Sequence, residues 1–339
     1  MTSGQACERL SRCYLRLFPR ATSQVAACRH LATAARVKYP AARSGVFDCG
    51  SARKVPARKQ SEGRQEREGF MITSTANQKI KRIVQLNKKA GERKKEDVFV
   101  VEGLKMFLEV PEERLCEVYL SESFLPILEG LGEKGKKARQ KLEVCGYEMV
   151  SDEVFRKISD TQAPQGILCI VRQCHYSLEE VLREKECPLL LVLENLQDPG
   201  NLGTILRAGE GAGVCGVVMS RDTADIYNPK VIRATMGSIY RMPFFYTENL
   251  EEAIIRIKEA GVTVFAAHLK GEGNYDKCDY CRPSAFLIGN EGKGLTERTA
   301  DLADSYVKIP MEGKVESLNA AVAAALLVYE AARQRRERD

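Results

Sequence analysis

Ile288-Gly-Asn-Glu-Gly-Lys-Gly-Leu295 and Ile309-Pro-Met-Glu-Gly-Lys-Val-Glu-Ser-Leu-Asn319 lie within the stretch Ala285 to Ala325 that decides the fold. Each piece follows an apolar, strand-like run, 285–288 and 306–309, and each breaks into a turn of glycines and small polar residues. The second turn feeds the alanine-rich run 320–332, which reads as a helix. Two strand ends that open into backbone-exposing loops and meet one helix predict a small-molecule site at the carboxyl edge of a parallel sheet.

Working outward, Pro188-Leu-Leu-Leu-Val-Leu-Glu-Asn195 is a continuous apolar run of the kind buried on both faces of a parallel sheet. Further strands are expected at 216–219 and 262–267, with helices from Asp198 through Gly213, near 229–237 and over 250–260. This alternation predicts a mostly parallel sheet with helices on both faces across residues 188–339. Residues 71–174 read as a smaller α/β/α sandwich, with strands at 98–102, 117–121, 147–150 and 166–171 and helices at 104–109, 134–141 and 151–158. Residues 175–187, polar and charged, read as a linker with a helix.

The net charge of +6 is unevenly placed. Residues 1–70 hold 14 Lys/Arg against 5 Asp/Glu, a net of +9, and the remaining residues hold 38 against 41, a net of −3. The body of the chain is therefore not globally basic, and a nucleic-acid partner must be met by local patches. No apolar run reaches the roughly 18 residues that span a bilayer, so a soluble protein is expected. The twelve cysteines are scattered through a long chain and read as reduced thiols. Cys278-Asp-Tyr-Cys281 lacks the second pair or the histidines that a zinc site needs, so no metal is expected.

Residues 1–70 lack hydrophobic periodicity and read as a disordered basic extension, upstream sequence ahead of a true start at Met71, or a mitochondrial transit peptide. The first two readings place the protein in the cytoplasm and the third in the mitochondrial matrix. Order begins after Met71 with an amphipathic helix on Ile80, Ile83, Val84 and Leu86, capped from 73–77. Between Lys79 and Lys95 there are eight Lys/Arg and one acid, Glu92, which reads as a solvated helix face or as a phosphate-binding patch.

A nucleotide-phosphate reading fails at both glycine-rich turns. After the strand at 188–195 the glycines fall at 200, 203, 209, 211 and 213, which is not G-x-G-x-x-G at a strand-to-helix turn. Gly292-Lys293 is followed by Gly294 where a P-loop has Ser or Thr. Three segments together, 195–213 (Asp198, Pro199, Asn201, Gly203, Arg207), 287–295 (Gly289, Asn290, Glu291, Gly292, Gly294) and 309–325 (Ile309, Pro310, Met311, Ser317, Leu318, Asn319), resemble the three motifs of the SpoU/TrmH family. Asn228-Pro-Lys-Val-Ile-Arg-Ala-Thr-Met-Gly237 resembles the segment between the first two. Upstream, residues 72–95, Phe99-Val-Val-Glu-Gly103 and 161–167 with Gln165-Gly166 resemble the family's N-terminal L30e-like substrate-binding domain. The departures are Thr235 in place of a frequent Ser, and Ala320-Ala321 after Asn319 in place of Val-Ser.

The resemblance implies an L30e-like α/β/α sandwich followed by a SPOUT α/β domain with a C-terminal trefoil knot. The implied activity is transfer of a methyl group from S-adenosylmethionine (AdoMet) to a ribose 2′-hydroxyl, most simply in large-subunit rRNA, by a homodimer. A tRNA substrate and a non-catalytic RNA-binding protein of the same fold are the alternatives. Carried over residue by residue, Arg207, Asn201, Glu291 and Asn319 form the catalytic group. Ile288, Gly289, Asn290, Gly294, Ile309, Met311, Ser317 and Leu318 hold AdoMet. Lys79, Lys81, Arg82, Lys88, Lys89, Arg93, Lys230 and Arg233 meet RNA. Asn201 is read equally as a helix N-cap.

Overall fold

The computed structural model describes residues 71–338 apart from positions 184, 269, 270 and 272, so the readings of residues 1–70 lie outside the described residues. Strands β1 (Val98–Glu102), β2 (Leu115–Ser121), β3 (Glu148–Val150) and β4 (Ile167–Arg172) form a four-stranded sheet in the order β1-β4-β2-β3. Strand β4 is antiparallel to β1 and β2, and β3 is parallel to β2. Alternation along β1 sends Val98 and Val100 into a cluster with α1 (Gln78–Lys88) and α6 (Asp152–Ile158). Phe99 and Val101 go to the opposite cluster, with α3 (Leu104–Glu109), α4 (Phe124–Glu129) and α5 (Gly132–Cys145). Helix α1 starts where Asn77 accepts the Lys79 amide and buries Ile80, Ile83 and Leu86; the short α2 (Ala90–Glu96) follows it.

Strands β5 (Leu189–Leu193), β6 (Gly216–Ser220), β7 (Phe244–Thr247), β8 (Thr263–Ala267), β9 (Gly273–Asn274), β10 (Ser284–Ile288) and β11 (Ser305–Lys308) form a second sheet in the order β7-β6-β5-β10-β8-β11-β9. Every pairing in it is parallel. Strand β5 is buried on both faces, with Leu189, Leu191 and Leu193 in one cluster and Leu190 and Val192 in the other. Helices α8 (Pro199–Ala212), α9 (Pro229–Thr235) and α12 (Ala320–Arg338) cover the first face. Helices α7 (Leu178–Arg183), α10 (Leu250–Glu259) and α11 (Glu297–Ala300) cover the second. The chain winds from β5 through β6 to β7 on one side, then crosses to β8 and the edge strand β9 on the other, and β10 afterwards inserts between β5 and β8. The reversal falls between β5 and β10, the switch point at which an open parallel sheet is expected to bind its ligand, outside the carboxyl ends of the strands.

The two sheets share one apolar cluster that runs from Phe99 and Val171 to Leu191 and Tyr240. The Phe99 and Tyr227 rings meet at 4.5 Å, and the buried Arg93 pairs with Asp225 at 2.6 Å. Helix α7 is packed as well: Val181 lies so close to Gly216 that a Cβ there would fall 2.4 Å from its Cγ1. Strand β7, β9, α4 and α11 are absent from the expectation drawn from the sequence, and α12 continues to Arg338, beyond the expected 332.

Candidate active site

Leu193 and Ile288 are register partners at the ends of β5 and β10, and the Glu194 amide donates to the Ile288 carbonyl (2.9 Å). The loops that follow therefore leave the sheet side by side. Glu291, in the second loop, accepts from three donors of the first: the amides of Gln197 (3.1 Å) and Asp198 (2.9 Å) and Nδ2 of Asn201 (3.1 Å). Asn201 Oδ1 accepts from Asn319 Nδ2 (2.9 Å), and Asn319 Oδ1 accepts from the amides of Ala321 (2.9 Å) and Val322 (3.3 Å) at the start of α12. Each carboxamide orientation is dictated by its neighbour, since only Nδ2 can donate to a carboxylate and only Oδ1 can accept from an amide. Asn201 is not the cap of α8: Asp198 Oδ1 takes the Asn201 amide (2.8 Å), which frees the Asn201 side chain for this relay.

Burial alone would raise the Glu291 carboxyl, but the hydrogen bonds from the Asp198 amide, the Asn201 side chain and the Gln197 amide outweigh it and hold the pKa below the ordinary glutamate value. A carboxylate held this way organises the loops and is a poor proton acceptor.

The second loop is a tight hairpin. Asn290 and Gly294 exchange backbone hydrogen bonds (3.0 and 2.9 Å), with Gly294 at φ +69°. Asn290 Oδ1 accepts the amides of Gly292 (3.0 Å) and Lys293 (3.1 Å), and its Nδ2 donates to the Asn195 carbonyl (2.8 Å). Gly289 meets the hairpin's own backbone: a Cβ there would lie 2.1 Å from the Gly294 carbonyl carbon and 2.2 Å from the Leu295 nitrogen. Ile288 is buried at the strand end. Downstream, Ile309, Met311 and Leu318 are half-buried and Ser317 is exposed. Among the described residues the backbone of 310–318 makes no intramolecular hydrogen bond. Free peptide groups beside half-buried aliphatic side chains, tied to the hairpin through Asn319 and Asn201, fit an adenosine: an apolar slot for the ring and main-chain groups for its edge.

Arg207 is exposed on α8 and, among the described residues, its side chain makes no hydrogen bond or ion pair. Six positions along the helix set it about 9 Å beyond Asn201, and it is outside the Glu291 relay. The other basic residues divide. Lys81, Lys88, Lys89 and Lys230 are exposed. Lys79 pairs with Glu148, Arg82 with Glu96 and Glu117, and Arg233 with Asp160. Arg93 is a correction to the expected RNA patch: it is 3% exposed and spends its guanidinium on Asp225 and the Leu86 and Asn87 carbonyls. It joins the two sheets and is closed to RNA.

Three functional groups escape sequence reading. The amides of Gln197 and Asp198 are signalled only by the Asp198-Pro199 helix start. Glu194, which accepts from the Thr296 amide and hydroxyl (both 2.8 Å) and the Thr299 hydroxyl (2.6 Å), has no local signal. Among the described residues no group of three or more His, Cys, Asp or Glu is placed to hold a metal, and the described cysteines are free thiols.

Fold and site define a protein of the SPOUT class. Residues 188–329 match the SpoU rRNA Methylase family, and residues 77–169 match the MRM3-like substrate binding domain. The 23S rRNA (guanosine(2553)-2′-O)-methyltransferase RlmP of Bacillus subtilis is 33% identical over 260 residues, covering 76% of this chain and 97% of its own. RlmB of Vibrio parahaemolyticus, a 23S rRNA (guanosine-2′-O-)-methyltransferase, is 30% identical over 71% of this chain and 97% of its own. The structure of an AdoMet-bound rRNA methyltransferase from Sinorhizobium meliloti superposes with a TM-score of 0.67 at 30% identity, over 78% of this chain and 97% of that one. The chain belongs to the SpoU rRNA methylase family.

Proposed function

We propose that the protein transfers a methyl group from AdoMet to a ribose 2′-hydroxyl of large-subunit rRNA, acting in the cytoplasm. The observation that carries this reading is the Glu291–Asn201–Asn319 relay, which joins the three motif segments at the sheet's switch point. When bound, AdoMet would supply an electrophilic methyl carbon on a sulfonium, with a neutral thioether as the leaving group. Gly289, Asn290 and Gly294, which shape the hairpin, would hold it on one side, and Ile309, Met311, Ser317 and Leu318 would hold it on the other. Direct displacement at the methyl carbon asks the chain mainly for placement of the 2′-oxygen. Arginine is always protonated in proteins and is not a free base. Arg207 therefore clamps the phosphate beside the target ribose and lowers the hydroxyl pKa, and that phosphate or a water takes the proton. Exposed Lys81, Lys88, Lys89 and Lys230 guide the RNA backbone.

Helix α12 leaves Val322, Leu326 and Tyr329 exposed at 48%, 37% and 47%, spaced along one helix face. A second copy of the chain is the partner this stripe fits, which supports a homodimer.

Calorimetry with AdoMet across pH tests the cofactor site. The Glu291 pKa is depressed on folding, so its contribution is complete above the unfolded value of about 4.3 and is lost as pH falls through the folded value. AdoMet is expected to bind at neutral pH and to weaken through the acid range, whereas Glu291→Gln should bind weakly with little pH dependence over that range. No binding at millimolar AdoMet would favour a non-catalytic RNA-binding protein.

A further inference from the structure

A cavity of about 590 Å³ opens at the strand ends of the four-stranded sheet and shares no residue with the Glu291 relay. Its lining includes buried Ser121, Phe124, Phe155 and Gly166 and two large apolar side chains left in solvent, Ile127 at 56% and Leu131 at 40% exposure. Isolated exposed aliphatics are ordinary, but a pair of them at the mouth of a concave site marks a place where something binds.

The cavity is built in advance of any ligand. Glu102 accepts from the Ser159 hydroxyl (2.7 Å), the Thr161 hydroxyl (3.1 Å) and the Gln165 amide (3.0 Å), which pins the loop 159–165 that forms one rim. Gly103, at φ +106°, lets the Gln165 side chain lie against it: a Cβ would fall 2.5 Å from Gln165 Oε1. Gly166, at φ +79°, likewise leaves room for Phe124, 2.8 Å from where its Cβ would be. Held there, the Gln165 carboxamide has no hydrogen-bond partner among the described residues, so a donor and an acceptor stand side by side at the mouth. Arg156 on the lining, and Lys134 and Lys137 three and six positions after Leu131 in the sequence, are exposed and lack a carboxylate partner among the described residues; Asp152, the one carboxylate on the lining, accepts from the Ser123 hydroxyl (2.8 Å).

Apolar faces, a free donor–acceptor edge and unpaired cations are what an unstacked base on a phosphodiester chain requires, whereas a protein segment would have to bring carboxylates to answer the cations. We propose that this cavity takes one unpaired nucleobase of the RNA substrate, with Ile127 and Leu131 against the ring, Gln165 on its edge and Lys134, Lys137 and Arg156 on the flanking phosphates. The proposal rests on the RNA reading above and makes the first sheet a reader of single-stranded RNA.

Fluorescence anisotropy of the full chain tests it with two probes of equal length, a labelled single-stranded RNA dodecamer and the same ribose-phosphate backbone without bases. Ile127→Ser with Leu131→Ser alters only exposed side chains and adds no charge, and its melting temperature checks the fold. The double variant should bind the base-bearing RNA about tenfold more weakly and the abasic strand as the parent does, with a smaller loss for Gln165→Ala. An unchanged affinity for base-bearing RNA, or an equal loss on both probes, overturns the pocket, and the first of these hands the cavity to a protein partner. A parent chain without preference for the base-bearing strand overturns it too, while methyl transfer from AdoMet, measured separately, judges the function.

Discussion

Arg207→Ala is expected to lower methyl transfer to rRNA by about 10²- to 10³-fold, the loss typical of removing one charge-stabilising donor at a reacting centre. The AdoMet Kd and the melting temperature should stay at parent values. The side chain is exposed and has no partner among the described residues, and it lies outside the Glu291–Asn201–Asn319 relay that orders the cofactor loops. Arg207→Lys keeps the charge but loses the planar fork, and should recover only a small part of the rate. Single-turnover kinetics at saturating AdoMet make the measurement. Near-normal turnover of the lysine variant would end the bidentate phosphate role.

Gly289→Ala is expected to abolish AdoMet binding and to destabilise the protein by about 1–3 kcal/mol, the usual cost of overpacking a closed site. The added methyl would sit 2.1 Å from backbone carbon, and backbone cannot rotate aside as a side chain can. Either the hairpin shifts off Asn195 and Asn201 or β10 is pushed from β5. Gly91→Ala is the control, because a Cβ there meets nothing within 4 Å and the residue lies in α2, away from the cofactor loops. Thermal unfolding and AdoMet calorimetry on the two variants should separate cleanly. Equal behaviour would mean that the hairpin does not hold the cofactor side of the site.

Where a signal was local, the fold was legible in the sequence. The apolar run of β5 announces burial on both faces, and the Asn77, Asp198 and Asn228 caps mark three helix starts. Strand β7 escaped because Phe244–Thr247 is a four-residue edge strand with no alternation, and α11 because a four-residue helix leaves no period to read. The site was legible as a set of segments and not as a geometry. Asn201 could be a cap or a ligand until Asp198 was seen to take the capping role. The misreading of Arg93 has the same origin: within 79–95 it resembles its exposed neighbours, and the group that buries it, Asp225, lies 132 positions away. Long-range pairing decides such residues, and composition carries no trace of it.

Incubation of the full chain with methyl-labelled AdoMet and unmodified large-subunit rRNA, followed by alkaline hydrolysis, tests the central claim most directly. A 2′-O-methyl group removes the hydroxyl that alkali needs, so the account predicts label in one alkali-resistant dinucleotide, lost in Arg207→Ala. Label in a base-methylated mononucleotide, label only when tRNA replaces rRNA, or no transfer by a chain that binds AdoMet would contradict it.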